Sequence, residues 1–386
     1  MPPARRIDRI ASANTSFLDF IATWDRLRHD PDIADFAFGN PQEMVIDGFP
    51  QALVAASRPL DKDHYAYKRS EDAARSTVAK VLVDWHGLPF EPEDVAMTPG
   101  AFGAIATALD TMVDPGDEVV FSIPPWFFYE TMILDVGGVP VKVPVRPEDY
   151  DLDVDAIAGA ITDRTKMLIV NSPNNPTGRI YPPETLRRLA SVLSEASQRR
   201  GSPIYLLSDE PYARLVFSDA EFSSPSRYYP NTLISYSYGK VLLTPGQRIG
   251  WLALSPRMPE RESLREAVFL AQVASGWLFP NALMQYAVDD LERMSIDLAA
   301  LEAKRDRLGA ALTALGYELR LPEGTFYLWV RSPDADDVRF VGRLADHGVL
   351  VLPGTTCESP GHFRISLTAS EAMIERALPV FATMAP

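Results

Sequence analysis

The sequence predicts an α/β protein with a mainly parallel central sheet in a large unit and a smaller α/β unit after it. Short β-branched or aromatic runs alternate with helix-period segments through the middle of the chain, the pattern of parallel strands covered by helices. Residues able to do chemistry gather at the ends of those runs, where open α/β sheets bind ligands. The 386 residues are also too many for one small core, and length favours about two domains.

Taken in chain order, residues 1–47 carry an amphipathic helix and then Phe38-Gly39-Asn40-Pro41, and are expected to pack with the smaller unit. The large unit is expected over 48–284, with strands at 118–121, 167–170, 204–207, 233–236 and 250–254. A helix starting at 183 opens on prolines, which suit a first helical turn. The small unit, 285–386, is led by a long charged helix over 291–312. It continues with a strand at 325–330, a helix at 336–346, strands at 349–352 and 363–367, and a final helix. No tandem repeat or low-complexity segment interrupts this order.

Composition narrows the function. The formal charge of −15, from 37 basic and 52 acidic residues, repels phosphate backbones and anionic lipid, so neither nucleic acid nor a membrane is expected as a partner. A single cysteine, Cys357, excludes an internal disulfide framework and multi-cysteine metal sites. None of His29, His64, His86, His347 and His362 has metal-ligand spacing, and no metal is expected. The basic start at 1–9 is not followed by an apolar run of signal-peptide length, and no stretch approaches the ~20 apolar residues of a membrane helix. A soluble, cytoplasmic protein is expected.

Lys240 lies in Ser237-Tyr238-Gly239-Lys240, ahead of Gly246-Gln247-Arg248-Ile249-Gly250. Asn175-Pro176-Thr177-Gly178 and Asp209-Glu210-Pro211-Tyr212 precede it. Each has an ordinary reading alone: a surface lysine, a turn asparagine, an aspartate capping a strand end, a core tyrosine. Together they supply the parts of a pyridoxal-phosphate site. The lysine can form a Schiff base, the aspartate can keep a pyridine nitrogen protonated, Asn175 and Tyr212 can hold a phenolate oxygen, and Ser237 and Arg248 suit phosphate. Upstream, Thr98-Pro99-Gly100-Ala101-Phe102 leads into a helix, so the amides of Gly100, Ala101 and Phe102 can face an anion, although a plain helix start looks the same. Trp126, within Pro125-Trp126-Phe127-Phe128-Tyr129, offers a ring to stack on a cofactor or to fill a core. Arg364, in an alternating strand pattern, is either solvent-facing or a bidentate carboxylate clamp.

This set resembles the class I/II aminotransferases of the pyridoxal-phosphate fold type I, over almost the whole chain from Gly39-Asn40-Pro41 to Arg364. The resemblance implies that Lys240 binds the cofactor and shuttles a proton, that Asp209 pairs with the pyridine nitrogen, and that Asn175 and Tyr212 bond the ring oxygen. It also implies that Trp126 stacks on the ring, that Ser237, Arg248 and the 100–102 turn hold phosphate, and that Arg364 grips the substrate carboxylate with Gly39 beside it. In such enzymes a tyrosine from the partner subunit of a homodimer completes the phosphate site. Tyr65, ten residues before Arg75, fits that place, with Tyr67 as the alternative; Ser70 stands where a glycine is common and Ala74 where a leucine often precedes the arginine.

The expected activity is transfer of an amino group from an L-amino acid donor to a 2-oxo acid acceptor. Phe102 replaces a lysine found in similar proteins acting on acidic substrates, which favours a neutral, apolar or aromatic donor. Elimination or oxidation on the same scaffold is the nearest alternative; a catalytically silent relative acting as a binding module is the other.

Overall fold

The β-branched runs become strands because their alternate side chains are buried on both faces of one sheet, a demand met by near-continuous apolar sequence. In the computed structural model, which describes residues 4–386, the strands are β1 (Ala34–Asp35), β2 (Val95–Thr98), β3 (Glu118–Ile123), β4 (Val139–Pro144), β5 (Thr165–Asn171), β6 (Tyr205–Asp209), β7 (Thr232–Ser237), β8 (Gly250–Leu254), β9 (Tyr327–Arg331), β10 (Val349–Leu350), β11 (Leu352–Pro353) and β12 (His362–Ser366). Met1, Pro2 and Pro3, which begin the basic stretch, lie outside the described residues.

Seven strands form the central sheet in the order β2-β8-β7-β6-β5-β3-β4. Only β8 runs against its neighbours. The five strands expected here are all present; β2 and β4 are additions. β4 reads Val-Pro-Val-Lys-Val-Pro, whose prolines cannot donate to a ladder, so it can only be an edge strand, bonded to β3 alone. One face of the sheet is covered by the helix Gly100–Met112, which buries Ala104, Ile105, Ala108 and Leu109. The helix Pro183–Arg200 buries Leu186, Leu189 and Leu193 in a separate core cluster shared with Val120, Leu168 and Leu206. Each such fully buried leucine contributes roughly 1.5–3 kcal/mol.

The smaller sheet is antiparallel, in the order β11-β12-β9, and β1 pairs in parallel with β10. The strand expected over 349–352 is divided at Val351, because its first half serves β1 and its second half serves β12. The strand expected from 325 starts two residues later, since Thr325 takes a left-handed backbone, φ 74°. The long helix expected over 291–312 is two: Val288–Glu292 ends, and Asp297 caps a new helix, Leu298–Ala314, by accepting from the Ala300 amide at 2.9 Å. The N-terminal helix is likewise split, into Arg5–Ala13 and Thr15–Leu27, with the Asn14 side chain donating to Ile10 O at 2.8 Å and Thr131 Oγ1 at 2.6 Å. Among the described residues no helix is long and apolar enough to cross a membrane.

The start of β8 and the start of the helix Gly100–Met112 touch backbone to backbone. A Cβ added at Gly250 would lie 2.2 Å from Tyr236 O and 2.8 Å from Gly100 Cα. Gly250→Ala should therefore lower stability by about 1–3 kcal/mol, read as a lower denaturant midpoint with unchanged slope; an unchanged midpoint would show that this contact is not tight.

Candidate active site

Asp209 closes β6, and the parallel ladder sets its neighbours: Asn171 on β5 and Ser235 on β7 are its register partners. Ser235 Oγ donates to Asp209 Oδ1 at 2.6 Å; Tyr129 Oη and Asn171 Nδ2 donate to Oδ2 at 2.5 and 3.3 Å. The carboxylate is buried and, among the described residues, has no ion-pair partner. Burial pushes its pKa up to about 6, against the donated hydrogen bonds of Ser235 and Tyr129 and the charge of Lys240.

Lys240 follows β7 on the short helix Tyr238–Val241, and its Nζ lies 5.6 Å from the Tyr212 ring centre and 5.8 Å from that of Phe326. Arg248 has a left-handed backbone, φ 49°, which turns its guanidinium across Gly100 to donate to Pro99 O at 3.0 Å and Pro245 O at 2.8 Å. Gly100 is required there twice over: its φ is 77°, and a Cβ would sit 2.9 Å from Arg248 Nη2.

From the smaller sheet comes Arg364, 1% exposed. Its Nη1 donates to Asn175 Oδ1 at 2.7 Å and its Nη2 to Ala37 O at 2.9 Å, while Nε has no partner among the described residues. No carboxylate pairs with it among those residues. The Asn175 backbone N–H is held by Asn171 Oδ1 at 2.8 Å, and its side-chain Nδ2 enters no hydrogen bond among the described residues.

Ala101, Phe102, Trp126, Asn175, Asp209, Tyr212, Ser237, Lys240 and Arg248 line one open recess, together with Ile105, Asn171 and Pro211. Gly100 lies behind Arg248. Gly39 packs against the small sheet, where a Cβ would meet the Phe326 ring at 2.4 Å and Tyr327 Oη at 2.8 Å. Tyr65 does not enter its own chain's recess: it is 65% exposed, its hydroxyl donates to Ser57 O, and it shares a surface hollow with Tyr67 and Lys68. A larger cleft, past Tyr150, Arg320, Arg331 and His362, contains none of these groups. Asn171, Ser235, Tyr129 and Tyr327 were not identified from sequence. The first two become legible once strand register is known; nothing in the sequence marks the other two.

The model of the family "Aminotransferase class I and II" matches residues 35–381. The chain belongs to that family. It is 36% identical over 343 residues to the aspartate/prephenate aminotransferase of Thermus thermophilus, covering 85% of each chain. Among solved structures, an amino transferase from Eubacterium rectale superposes with a TM-score of 0.91 at 27% identity, over 100% of this chain and 98% of that one. The Thermus thermophilus aspartate aminotransferase with maleate superposes with a TM-score of 0.84 at 30% identity, over the full length of both.

This aminotransferase is a pyridoxal-phosphate-dependent transaminase of fold type I. The donor set fits that cofactor. A buried carboxylate without a counter-ion suits a protonated ring nitrogen, and a hydroxyl, a guanidinium and a helix N-terminus converge where a phosphate would lie.

Because the folded pKa of Asp209 lies above its ordinary 3.8, stability of the cofactor-free chain is greatest below that value and is lost as pH rises through about 6. Asp209→Asn should make the cofactor-free chain more stable at pH 7 by up to about 3 kcal/mol, with the gap closing towards pH 4. Urea titrations across that range check this; a destabilised variant at pH 7 would show that the carboxylate is not held against its charge.

Proposed function

We propose that this aminotransferase takes its amino group from a neutral, apolar or aromatic L-amino acid and passes it to a 2-oxo acid, working as a cytoplasmic homodimer. The observation carrying the site assignment is the pair of buried charges, in no ion pair among the described residues: Asp209 lines Lys240's recess, and Arg364 lies directly behind it, bonded to the lining residue Asn175.

In this reading Asp209 holds the ring nitrogen, while Asn175 Nδ2 and the Tyr212 hydroxyl donate to the ring oxygen. Trp126 covers one ring face. Ser237, Arg248 and the amides after Gly100 hold phosphate, joined by Tyr65 from the partner subunit. Bound pyridoxal phosphate supplies the electron sink that makes the substrate α-proton removable. Arg364 receives the α-carboxylate, its free Nε adding to a fork already oriented by Asn175 and Ala37, with Gly39 leaving room beside it. Lys240 Nζ then takes the proton from the substrate α-carbon and returns one in the second half of the cycle. The burial of Asp209 and Arg364 excludes water, which strengthens both ion pairs.

Substrate class rests on the wall beyond Arg364. Phe127 lies 6.0 Å from its guanidinium, and Phe17, from the N-terminal helix Thr15–Leu27, stacks on Phe127 at 5.1 Å and meets Phe128 edge-on at 5.0 Å. Phe102 closes the row against Phe128 and Trp126, at 5.4 and 5.0 Å. Burying a second carboxylate among these rings without a counter-ion would cost several kcal/mol. The relatives named as aspartate aminotransferases support the competing reading of an acidic donor.

Borohydride reduction and peptide mapping should place the pyridoxyl group on Lys240, and Lys240→Ala should lose turnover by many orders of magnitude; labelling of another lysine sinks the assignment. Steady-state rates with phenylalanine, tyrosine, methionine, arginine and aspartate test the substrate class. Phenylalanine or another neutral donor should show the highest kcat/KM, and aspartate in first place would mean that the aromatic wall does not set specificity.

A further inference from the structure

Asp35 interrupts an otherwise apolar run, Ile33-Ala34-Asp35-Phe36-Ala37-Phe38, and its side chain is buried. Up to Phe36 this run is held by strands: Ala34 N–H donates to Gly348 O and Phe36 N–H to Leu350 O, both at 2.8 Å, while Phe36 O accepts from Ser366 N–H at 2.9 Å. At Ala37, also buried, side chains take over. Its N–H donates to Asp35 Oδ1 and its carbonyl accepts from Arg364 Nη2, both at 2.9 Å. An aspartate that accepts from the amide two residues on closes a turn, and here it satisfies a buried donor just where the chain leaves its strand pairing beside Arg364.

The other carboxylate oxygen, Oδ2, accepts from the indole N–H of Trp24 at 2.9 Å. Trp24 belongs to the helix Thr15–Leu27, whose Phe17 stacks on Phe127; Trp24 and Phe20 also meet Phe38 edge-on at 5.0 and 5.8 Å. Burial raises the Asp35 carboxyl above its ordinary range, against the hydrogen bonds from Ala37 and Trp24 and the charge of Arg28.

We propose that Asp35 is a positioning residue for Arg364: it fixes the Ala37 carbonyl that orients the guanidinium, and through Trp24 it ties that carbonyl to the helix that builds the aromatic wall. Without the Asp35 oxygens, the Ala37 amide loses its acceptor and its carbonyl is held by Arg364 alone. The guanidinium then keeps only Asn175 Oδ1, at 2.7 Å, as a fixed reference. The proposal rests on the assignment of Arg364 to the substrate carboxylate made above.

The test uses the holoenzyme and the Kd of a non-reacting carboxylate, 3-phenylpropionate or maleate, whichever the parent enzyme binds. Arg364→Leu should lose measurable binding, and Arg364→Lys, which keeps the charge without the fork, should bind roughly tenfold more weakly. Asp35→Ala should bind roughly tenfold more weakly in the parent and add less than about twofold in the Arg364→Lys background. The KM of the best donor should rise with that Kd while kcat stays within about threefold. Asp35→Asn offers one acceptor oxygen to two donors and should bind roughly fivefold more weakly; adding Trp24→Phe, which withdraws the competing indole N–H, should restore affinity to within about twofold of the parent. This pair carries the test if Asp35→Ala does not fold. Parental affinity in the Asp35 variants with binding lost in Arg364→Leu would overturn the positioning role and leave Arg364 in place; parental affinity in Arg364→Leu would overturn both. An Asp35→Ala loss undiminished beside Arg364→Lys, a lower kcat with unchanged KM, or no recovery on adding Trp24→Phe would mean that Asp35 serves folding alone, which also overturns the proposal.

Discussion

Two buried charges that form no ion pair among the described residues dominate this molecule. Asp209 belongs to the central sheet and Arg364 to the smaller one; each is enclosed by protein, hydrogen-bonded to neutral groups and, among the described residues, in no ion pair. Taking an ion out of water costs several kcal/mol even after relaxation, and hydroxyls and amides repay only part of it. The fold tolerates this because the extensive apolar cores around both sheets supply the stability that the recess withholds. In the proposed reading, a ligand presenting a cation to Asp209 and a carboxylate to Arg364 would remove both penalties, so the two charges would themselves select it.

The backbone delivers these groups with little freedom. Parallel pairing places Asn171 and Ser235 beside Asp209, so the strands that carry the carboxylate's hydrogen bonds also fix its position. On the opposite side, Asn175 follows β5 and reaches Arg364 directly, so that the two sheets share one hydrogen bond at the site. Left-handed residues sit at the junctions: Gly100 and Arg248 against each other at the start of the helix Gly100–Met112, Thr325 at the entry to β9. Such conformations cost of order 1–3 kcal/mol each for residues other than glycine and persist where surrounding contacts fix them.

Much of the fold was legible because parallel strands buried on both faces read as apolar runs, as with Met167 to Val170 and Leu233 to Tyr236. Edge strands escaped notice for the opposite reason: Val139–Pro144 carries prolines and a lysine that a central strand would exclude. The single helix expected across 291–312 failed because helical periodicity does not register a cap, and Asp297 looks like any other charged residue until its carboxylate meets the Ala300 amide.

The sequence by itself determined the chemistry on offer and its order along the chain: Asn175, Asp209, Tyr212, Ser237, Lys240 and Arg248 are residue types whose combination has few uses, and their spacing follows the rhythm of strand and helix. Tertiary structure alone decided which groups meet. Tyr129 lies 80 residues from the Asp209 it bonds, Arg364 lies 189 from Asn175, and Tyr327 comes under Arg364 only through the pairing of β9 with β12. Tyrosine is an ordinary core residue in sequence terms, and what distinguishes these two is the hydroxyl that Tyr129 gives Asp209 and the ring that Tyr327 lays under Arg364. Those contacts are set by sheet register and by how the smaller sheet packs on the larger, and neither is encoded in local periodicity.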